Sequence, residues 1–160
     1  MPINRVRDYV AAHDPSIVPI EFAEETKTVE DAARVLGVEP GQIAKSILFR
    51  AGEQYGLFVA AGDVKVSAKV VKALLGGKPR MAKPQEVEEV TGFRVGGVCP
   101  FALAQEVPIF LDESMKRFST VYTAAGTANS VLPVSFAQLQ EITGGTVVEM
   151  QQDQQVRVDT

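Results

Sequence analysis

Ten residues constrain this chain more than any others: Thr91-Gly-Phe-Arg-Val-Gly-Gly-Val-Cys-Pro100 holds three glycines and a proline between apolar runs. Glycine has no Cβ, so it takes conformations closed to other residues and lets a second backbone or a ligand come close. Pro100 stiffens the exit and lacks an amide donor. Two readings fit: an ordinary tight turn between strands, and a rigid bend that faces a ligand. Spacing alone favours the turn, because a Gly-Gly pair is a weak signal.

The surrounding pattern is one of short elements. Ile3, Val6, Tyr9 and Val10 have helical spacing, and Asp14-Pro15 ends that helix. Ile17 to Phe22 reads as a strand. Thr28-x-x-Asp31 resembles a capping box that opens a helix with Ala32, Ala33, Val35 and Leu36 inward, closed by Gly37. Ala44 to Arg50 and Tyr55 to Ala61 form a hairpin across Gly52-Glu-Gln. Pro84 to Val90 is a short acidic helix with proline near its start. Strands follow at Val107 to Leu111, Thr120 to Ala125, and Ser130 to Val134, where Pro133 suggests an edge position. Ser135-x-x-Gln138 opens a last helix that Gly144-Gly145 ends, before a strand over Thr146 to Met150. Gln151 to Thr160 is polar and expected to be loose. Many short strands with interspersed helices and no βαβ regularity indicate an α+β fold. A length of 160 residues suits one domain with a real core, 46% of the residues being hydrophobic.

Composition narrows the function classes. The apolar runs are far shorter than a membrane span, and Met1-Pro-Ile-Asn-Arg-Val-Arg lacks an apolar signal core. A single cysteine allows no internal disulfide and fits a reducing cytoplasm. One histidine, one cysteine and scattered carboxylates offer no metal-ligand cluster, so neither metal nor cofactor is expected. His13, the only histidine, reads as a solvated residue in the last turn of its helix. A net charge of −4 confines any nucleic-acid footprint to a local patch. Val64 to Pro84 supplies one: Lys65, Lys69, Lys72, Lys78, Arg80 and Lys83 with no acidic residue. Lys65, Lys69 and Lys72 share one face of an amphipathic helix whose other face carries Val66, Val70, Ala73 and Leu74. That face is either a solvated lysine surface or a contact with a phosphate backbone.

Two further stretches complete a pattern. Gln42-Ile-Ala-Lys-Ser-Ile-Leu-Phe49 puts Lys45 at the mouth of an apolar strand, and Tyr122-Thr-Ala-Ala-Gly-Thr-Ala-Asn129 follows the glycine segment. With Ala61-Gly-Asp63, Met81-Ala-Lys-Pro84, Thr91-Gly92, Gly96-Gly97-x-x-Pro100, Asp112-Glu113 and Gly126, this order resembles the aminoacyl-tRNA deacylases of the YbaK/ProX family. That family is related to the editing domain inserted in bacterial prolyl-tRNA synthetases. The resemblance covers Val29 to Val148. It implies a compact mixed, partly barrel-like sheet wrapped by helices, with a pocket beside the glycine segment, in a single deacylase-like domain.

The resemblance also implies roles. Lys45, which by sequence alone reads as a snorkelling residue, becomes the essential lysine that binds phosphate or stabilises an oxyanion. It would act as a base only if burial lowered its pKa. Ser46 stands where the family commonly has threonine and could hold substrate or water, or cap a backbone group. The backbones of Gly96 and Gly97 would place the terminal adenosine and the ester. Gly126 would form a pocket wall, with Cys99 and Pro100 beside the substrate. Cys99 stands where relatives usually have serine, and a small buried residue is the better reading than a thiol nucleophile. Asp63 and Asp112 read as turn caps. In the Cys-tRNA-specific branch basic residues after the glycine and an aspartate near position 131 are expected. Thr127, Ala128 and Val131 stand there instead, which suggests another small aminoacyl side chain. The implied function is that of a trans-editing hydrolase that cleaves the ester of a small mischarged amino acid from tRNA, with tRNA(Pro) the foremost candidate and aminoacyl-tRNA and prolyl-tRNA synthetase as partners. The rivals are a non-catalytic module that binds an aminoacyl end or amino acid, and a small-ester hydrolase. The amino acid, the tRNA and the oligomeric state stay open.

Overall fold

The computed structural model describes residues 2–150, and the expectation for 151–160 lies outside that range. The chain folds as α1 (Pro2–His13), β1 (Ile20–Glu21), α2 (Val29–Leu36), β2 (Ile43–Ala51), β3 (Gln54–Ala61), α3 (Ala68–Leu75), β4 (Arg80–Met81), α4 (Pro84–Thr91), β5 (Ile109–Asp112), β6 (Val121–Ala124), β7 (Ser130–Val134), α5 (Phe136–Thr143) and β8 (Thr146–Val148). This is the α+β class that the pattern indicates. Eight strands form one mixed sheet in the order β1-β7-β6-β2-β3-β5-β8, with β4 paired separately to β2.

Local hydrogen bonds set most element ends. Thr28 accepts the Asp31 amide at the start of α2, and Gly37 closes it in the left-handed region. Ser135 and Gln138 form the reciprocal capping box of α5, which Gly144 ends. β2 and β3 form the expected hairpin, in register from Ala44↔Ala61 to Ala51↔Gln54. β7 pairs with β1 only at Ser130 and Val131, so Pro133 faces no partner on that side. The main core gathers Val6 and Val10 of α1 with Phe58, Phe93, Cys99, Phe101, Leu111 and Leu139. Fully burying such side chains contributes about 1.5–3 kcal/mol each.

The basic segment departs from the expected helix. Ser67 accepts the Val70 amide and starts α3 at Ala68, so Lys65 lies outside it, in the preceding loop. Only Lys69 and Lys72 share the helix. Its fully buried residues are Val71 and Leu75; the expected Val70, and Val66 ahead of the helix, are half-buried against the core, while Ala73 and Leu74 are exposed. The physical reason is the cap, which fixes the start of the helix and thereby its rotation against the sheet. Gly76 ends α3, and Arg80–Met81 becomes strand β4, which the sequence does not announce. Asp112 acts as expected: it caps the turn Glu113–Arg117 by accepting the Ser114 amide, and its other oxygen accepts the Met150 amide.

Candidate active site

The site exists because two strands leave β2 at different points. β6 runs parallel to β2 and pairs with it only at Ile43 and Ala44. β4 pairs antiparallel from Phe49, and the Ala82 amide reaches the Leu48 carbonyl. Between these contacts, the edge of β2 from Lys45 to Ile47 lies uncovered. A cleft of about 230 Å³ opens there. It is lined by Lys45 and Ser46 of β2, Tyr122 and Ala124 of β6, Val131 of β7, Ala32 of α2, Met81 and Val87 on the β4–α4 side, and Val95, Gly96 and Val98 of the glycine segment.

Lys45 is half-buried, and its Nζ forms no hydrogen bond or ion pair among the described residues. Burial pushes its pKa down, and the charges of Asp63 and Glu30 oppose that by favouring the ammonium. Asp63 is itself committed elsewhere. Arg117 grips it through two hydrogen bonds of 3.0 and 2.6 Å, which holds its carboxyl below the usual range. The result is a cation aimed at an apolar cleft, with its carboxylate neighbours at longer range. Beside it, the Ser46 hydroxyl is buried and has no partner, a condition that costs free energy unless a bound group satisfies it.

The glycine segment is a rigid bend. Gly92 ends α4 with φ +80°, and the buried Thr91 hydroxyl accepts the Phe93 amide at 3.1 Å. Arg5 of α1 stacks its guanidinium 4.3 Å over the Phe93 ring and donates to the carbonyls of Thr91 and Ala102. Gly96 reaches the cleft with φ +99°, and a Cβ there would lie 2.9 Å from the Lys27 Cβ. Lys27 belongs to a strap, Thr26 to Thr28, that also lines the cleft. Backbone bonds from Thr26 to Ala128 and from Phe22 to Asn129 tie the strap to the segment after Gly126.

The structure therefore gathers Lys45, Ser46 and Gly96, and separates the other expected site residues. Gly97 does not line this cleft. Its amide donates to the Arg94 carbonyl and its carbonyl accepts the Gly126 amide, so its backbone is spent inside the fold. Gly97 and Gly126 instead border an adjoining cleft of about 550 Å³, which shares Lys27 and Val95 with the first. Cys99 and Pro100 are buried away from both clefts. Burial pushes the Cys99 thiol up to about 12, and Sγ has only a 3.8 Å contact with the Phe101 carbonyl. Cys99 packs into the main core behind the bend, and Pro100 is buried next to it. Of Thr127, Ala128 and Val131, only Val131 reaches the inner cleft. Lys65, Lys69 and Lys72 line no part of it. Sequence reading misses Tyr122, Met81, Val87, Val95 and the strap. A lysine between two threonines at a helix N-cap, Thr26-Lys-Thr28, is the one local signal that could have drawn attention.

A family model, the aminoacyl-tRNA editing domain, matches residues 23–142. The chain belongs to that family. It is 42% identical over 142 residues to YwhH, an uncharacterised protein of Bacillus subtilis, covering 88% of this chain and 90% of that one. It is 34% identical to the proline–tRNA ligase of Bacillus pumilus over 78% of this chain, and there it spans only 24% of the ligase. The crystal structure of a candidate trans-editing enzyme for prolyl tRNA synthetase superimposes with a TM-score of 0.87 at 31% identity, covering 93% of this chain and 96% of that one. The editing-domain fold is thus the frame that holds the cleft. Within it, no helix among the described residues is long and apolar enough to cross a membrane.

Proposed function

We propose that this editing domain acts in trans, hydrolysing the ester between a small mischarged amino acid and the 3′ end of tRNA(Pro). On this reading it removes errors that prolyl-tRNA synthetase makes. The observation that carries the proposal is Lys45: an unpaired ammonium on the stretch of β2 edge left uncovered between β6 and β4, facing a small apolar cleft. An aminoacyl ester is already activated, so cleavage needs placement and charge stabilisation more than an enzyme nucleophile. Water adds to the ester carbonyl carbon, the bond to the ribose oxygen breaks, and that oxygen takes the proton released by the water. Lys45 stabilises the negative charge on the carbonyl oxygen or holds the terminal phosphate. Gly96 lets the ester approach the backbone without a side chain in the way. The unpartnered Ser46 hydroxyl binds substrate or the attacking water.

Ala32, Ala124 and Val131 make the inner wall small and uncharged, which suits a short side chain such as alanine. Lys65, Lys69 and Lys72, away from the cleft, serve as contacts for the tRNA backbone. Support for trans action comes from the 0.87 TM-score with the candidate trans-editing enzyme. The test is a panel of tRNA(Pro) charged with alanine, serine, cysteine and proline. Release of a small non-cognate residue, with Pro-tRNA(Pro) spared, is the expected outcome, and no release from any member would refute the reading.

A further inference from the structure

β2 carries backbone groups that no neighbouring strand takes up. In an antiparallel pair, the amides and carbonyls of successive residues point alternately towards the partner strand and away from it. Leu48 points away from β3: its carbonyl accepts the Ala82 amide, and the amide of its partner Leu57 donates to the Pro108 carbonyl on the far side. Ser46 lies two residues earlier on the same strand, opposite Val59, and so has the same orientation. Its N–H and C=O therefore face the gap between β6, whose pairing ends at Ala44, and β4, whose pairing begins at Phe49. Ser46 is half-buried and lines the cleft that opens in that gap. Backbone groups withdrawn from water call for partners, and here the partner position is the cleft itself.

The other groups of the cleft narrow what fits. No Asp or Glu is among its lining residues, which include Lys27 and Lys45. An α-amino group that enters must therefore donate to an uncharged oxygen. The hydroxyls of Thr26, Thr28 and Thr123 are already engaged with Ala128, Asp31 and Ala124. The Ser46 carbonyl is open. An aminoacyl group carries an N–H donor and a C=O acceptor on either side of one carbon, as a strand residue does. Directly opposed residues of an antiparallel ladder exchange both such bonds. The geometry points to this exchange as the way the substrate is held: the α-amino group donates to the Ser46 carbonyl, and the Ser46 amide donates to the ester carbonyl oxygen. The aminoacyl group thus adds to β2 as a strand of a single residue, the smallest case of edge pairing. When water adds to the ester carbon, the charge that gathers on that oxygen meets the Ser46 amide, a fixed donor. This pairing rests on the deacylase reading and gives a role to the main chain of Ser46, distinct from its hydroxyl.

Two measurements test it. In the first, tRNA(Pro) is charged with alanyl, lactyl or propionyl groups, which carry an amine, a hydroxyl or no donor on the same carbon skeleton. Each rate is divided by the spontaneous hydrolysis rate of that ester. Against alanyl, propionyl should lose about tenfold or more in kcat/KM, and lactyl should lose less. Equal values for alanyl and propionyl would overturn the pairing. The second needs no turnover. The isotope-labelled parent and Ser46→Ala are titrated with 3′-alanylamino-3′-deoxyadenosine, whose amide link resists hydrolysis. The amide proton of residue 46 should move downfield in both proteins and exchange more slowly with solvent, because the hydroxyl takes no part. The Ile47 amide, which points to β3, should keep its exchange rate. A residue 46 amide that stays unmoved, or an analogue that shows no saturable binding, would overturn the pairing. The expected shifts in a parent that deacylates no charged tRNA would uphold the pairing and refute the deacylase reading.

Discussion

The Gly126 amide donates to the Gly97 carbonyl at 3.0 Å, and a Cβ built on Gly97 would lie 2.7 Å from the Gly126 carbonyl carbon. The glycine segment and the loop after β6 therefore meet backbone to backbone. The nearest neighbours of that Cβ are main-chain atoms, which cannot rotate away. Gly97→Ala should destabilise the domain by about 3 kcal/mol, the upper end for over-packing, and lower its melting temperature by roughly 6–12 °C. Gly96→Ala should also lower the melting temperature, because its φ of +99° suits glycine and its Cβ would lie 2.9 Å from the Lys27 Cβ, which is fixed to the strap, and it should disturb the cleft as well. Calorimetry of each variant against the parent checks this, and a Gly97→Ala protein that melts with the parent would contradict it.

Lys45→Ala should fold normally, because a half-buried side chain at a cleft leaves no enclosed cavity. It should lose most deacylation in single turnover. Ser46→Ala removes a buried hydroxyl that has no partner, so its stability should match or slightly exceed that of the parent. A fall in rate for Ser46→Ala without a fall in stability would assign the hydroxyl to substrate or water. A rise in KM alone for Lys45→Ala would make the lysine a binding group.

Cys99 should resist alkylation at neutral pH, since the thiol is fully buried and its pKa is pushed up to about 12. Modification should appear only as the protein unfolds. Cys99→Ser should keep its deacylation rate and lose about 1 kcal/mol, because the new hydroxyl enters an apolar core. Rapid labelling of the folded protein, or a dead Cys99→Ser enzyme that still binds tRNA, would show the thiol to be within reach of substrate.

Glu86 joins β2, β4 and α4 by accepting from Arg80, Arg50, Tyr55 and the Lys83 amide. Hydrogen bonds from Arg80 first, then from Lys83 and Arg50, hold its carboxyl far below the ordinary value of 4.5. A depressed carboxylate contributes stability that is present above the unfolded-state pKa and fades as pH falls towards the folded-state value. Glu86→Gln should thus melt earlier at pH 7, and the gap to the parent should narrow below about pH 4.3. A gap that stays constant down to pH 3 would mean that charge at this position contributes nothing.

Replacing Lys65, Lys69 and Lys72 with glutamine should weaken tRNA binding. The log–log salt slope should fall by about one, or slightly less, for each phosphate that these lysines neutralise in the parent. Turnover at saturation should hold, because none of the three lines the cleft. A salt slope equal to that of the parent would mark these lysines as solvated and leave the tRNA footprint to charges around the cleft mouth.

What the sequence determines by itself is local. Thr28 with Gly37 and Ser135 with Gln138 and Gly144 bound their helices through bonds that span three to five residues, so their chemistry is visible in the chain. The β2–β3 hairpin is legible for the same reason. The glycine segment announces a close approach, and the order of motifs carries the family. Tertiary structure decides which close approach each glycine serves: Gly97 against Gly126, and Gly96 against Lys27 and the cleft. It also decides that Ser67 starts α3 after Lys65, that Cys99 and Pro100 turn inward, and that Glu86 gathers two arginines. Above all, the cleft exists because β6 leaves β2 after Ala44 while β4 joins only at Phe49. Those two pairings join residues that lie up to about eighty positions apart and compete for one strand edge. Only the packed sheet settles how far each extends, and so where Lys45 finds its opening.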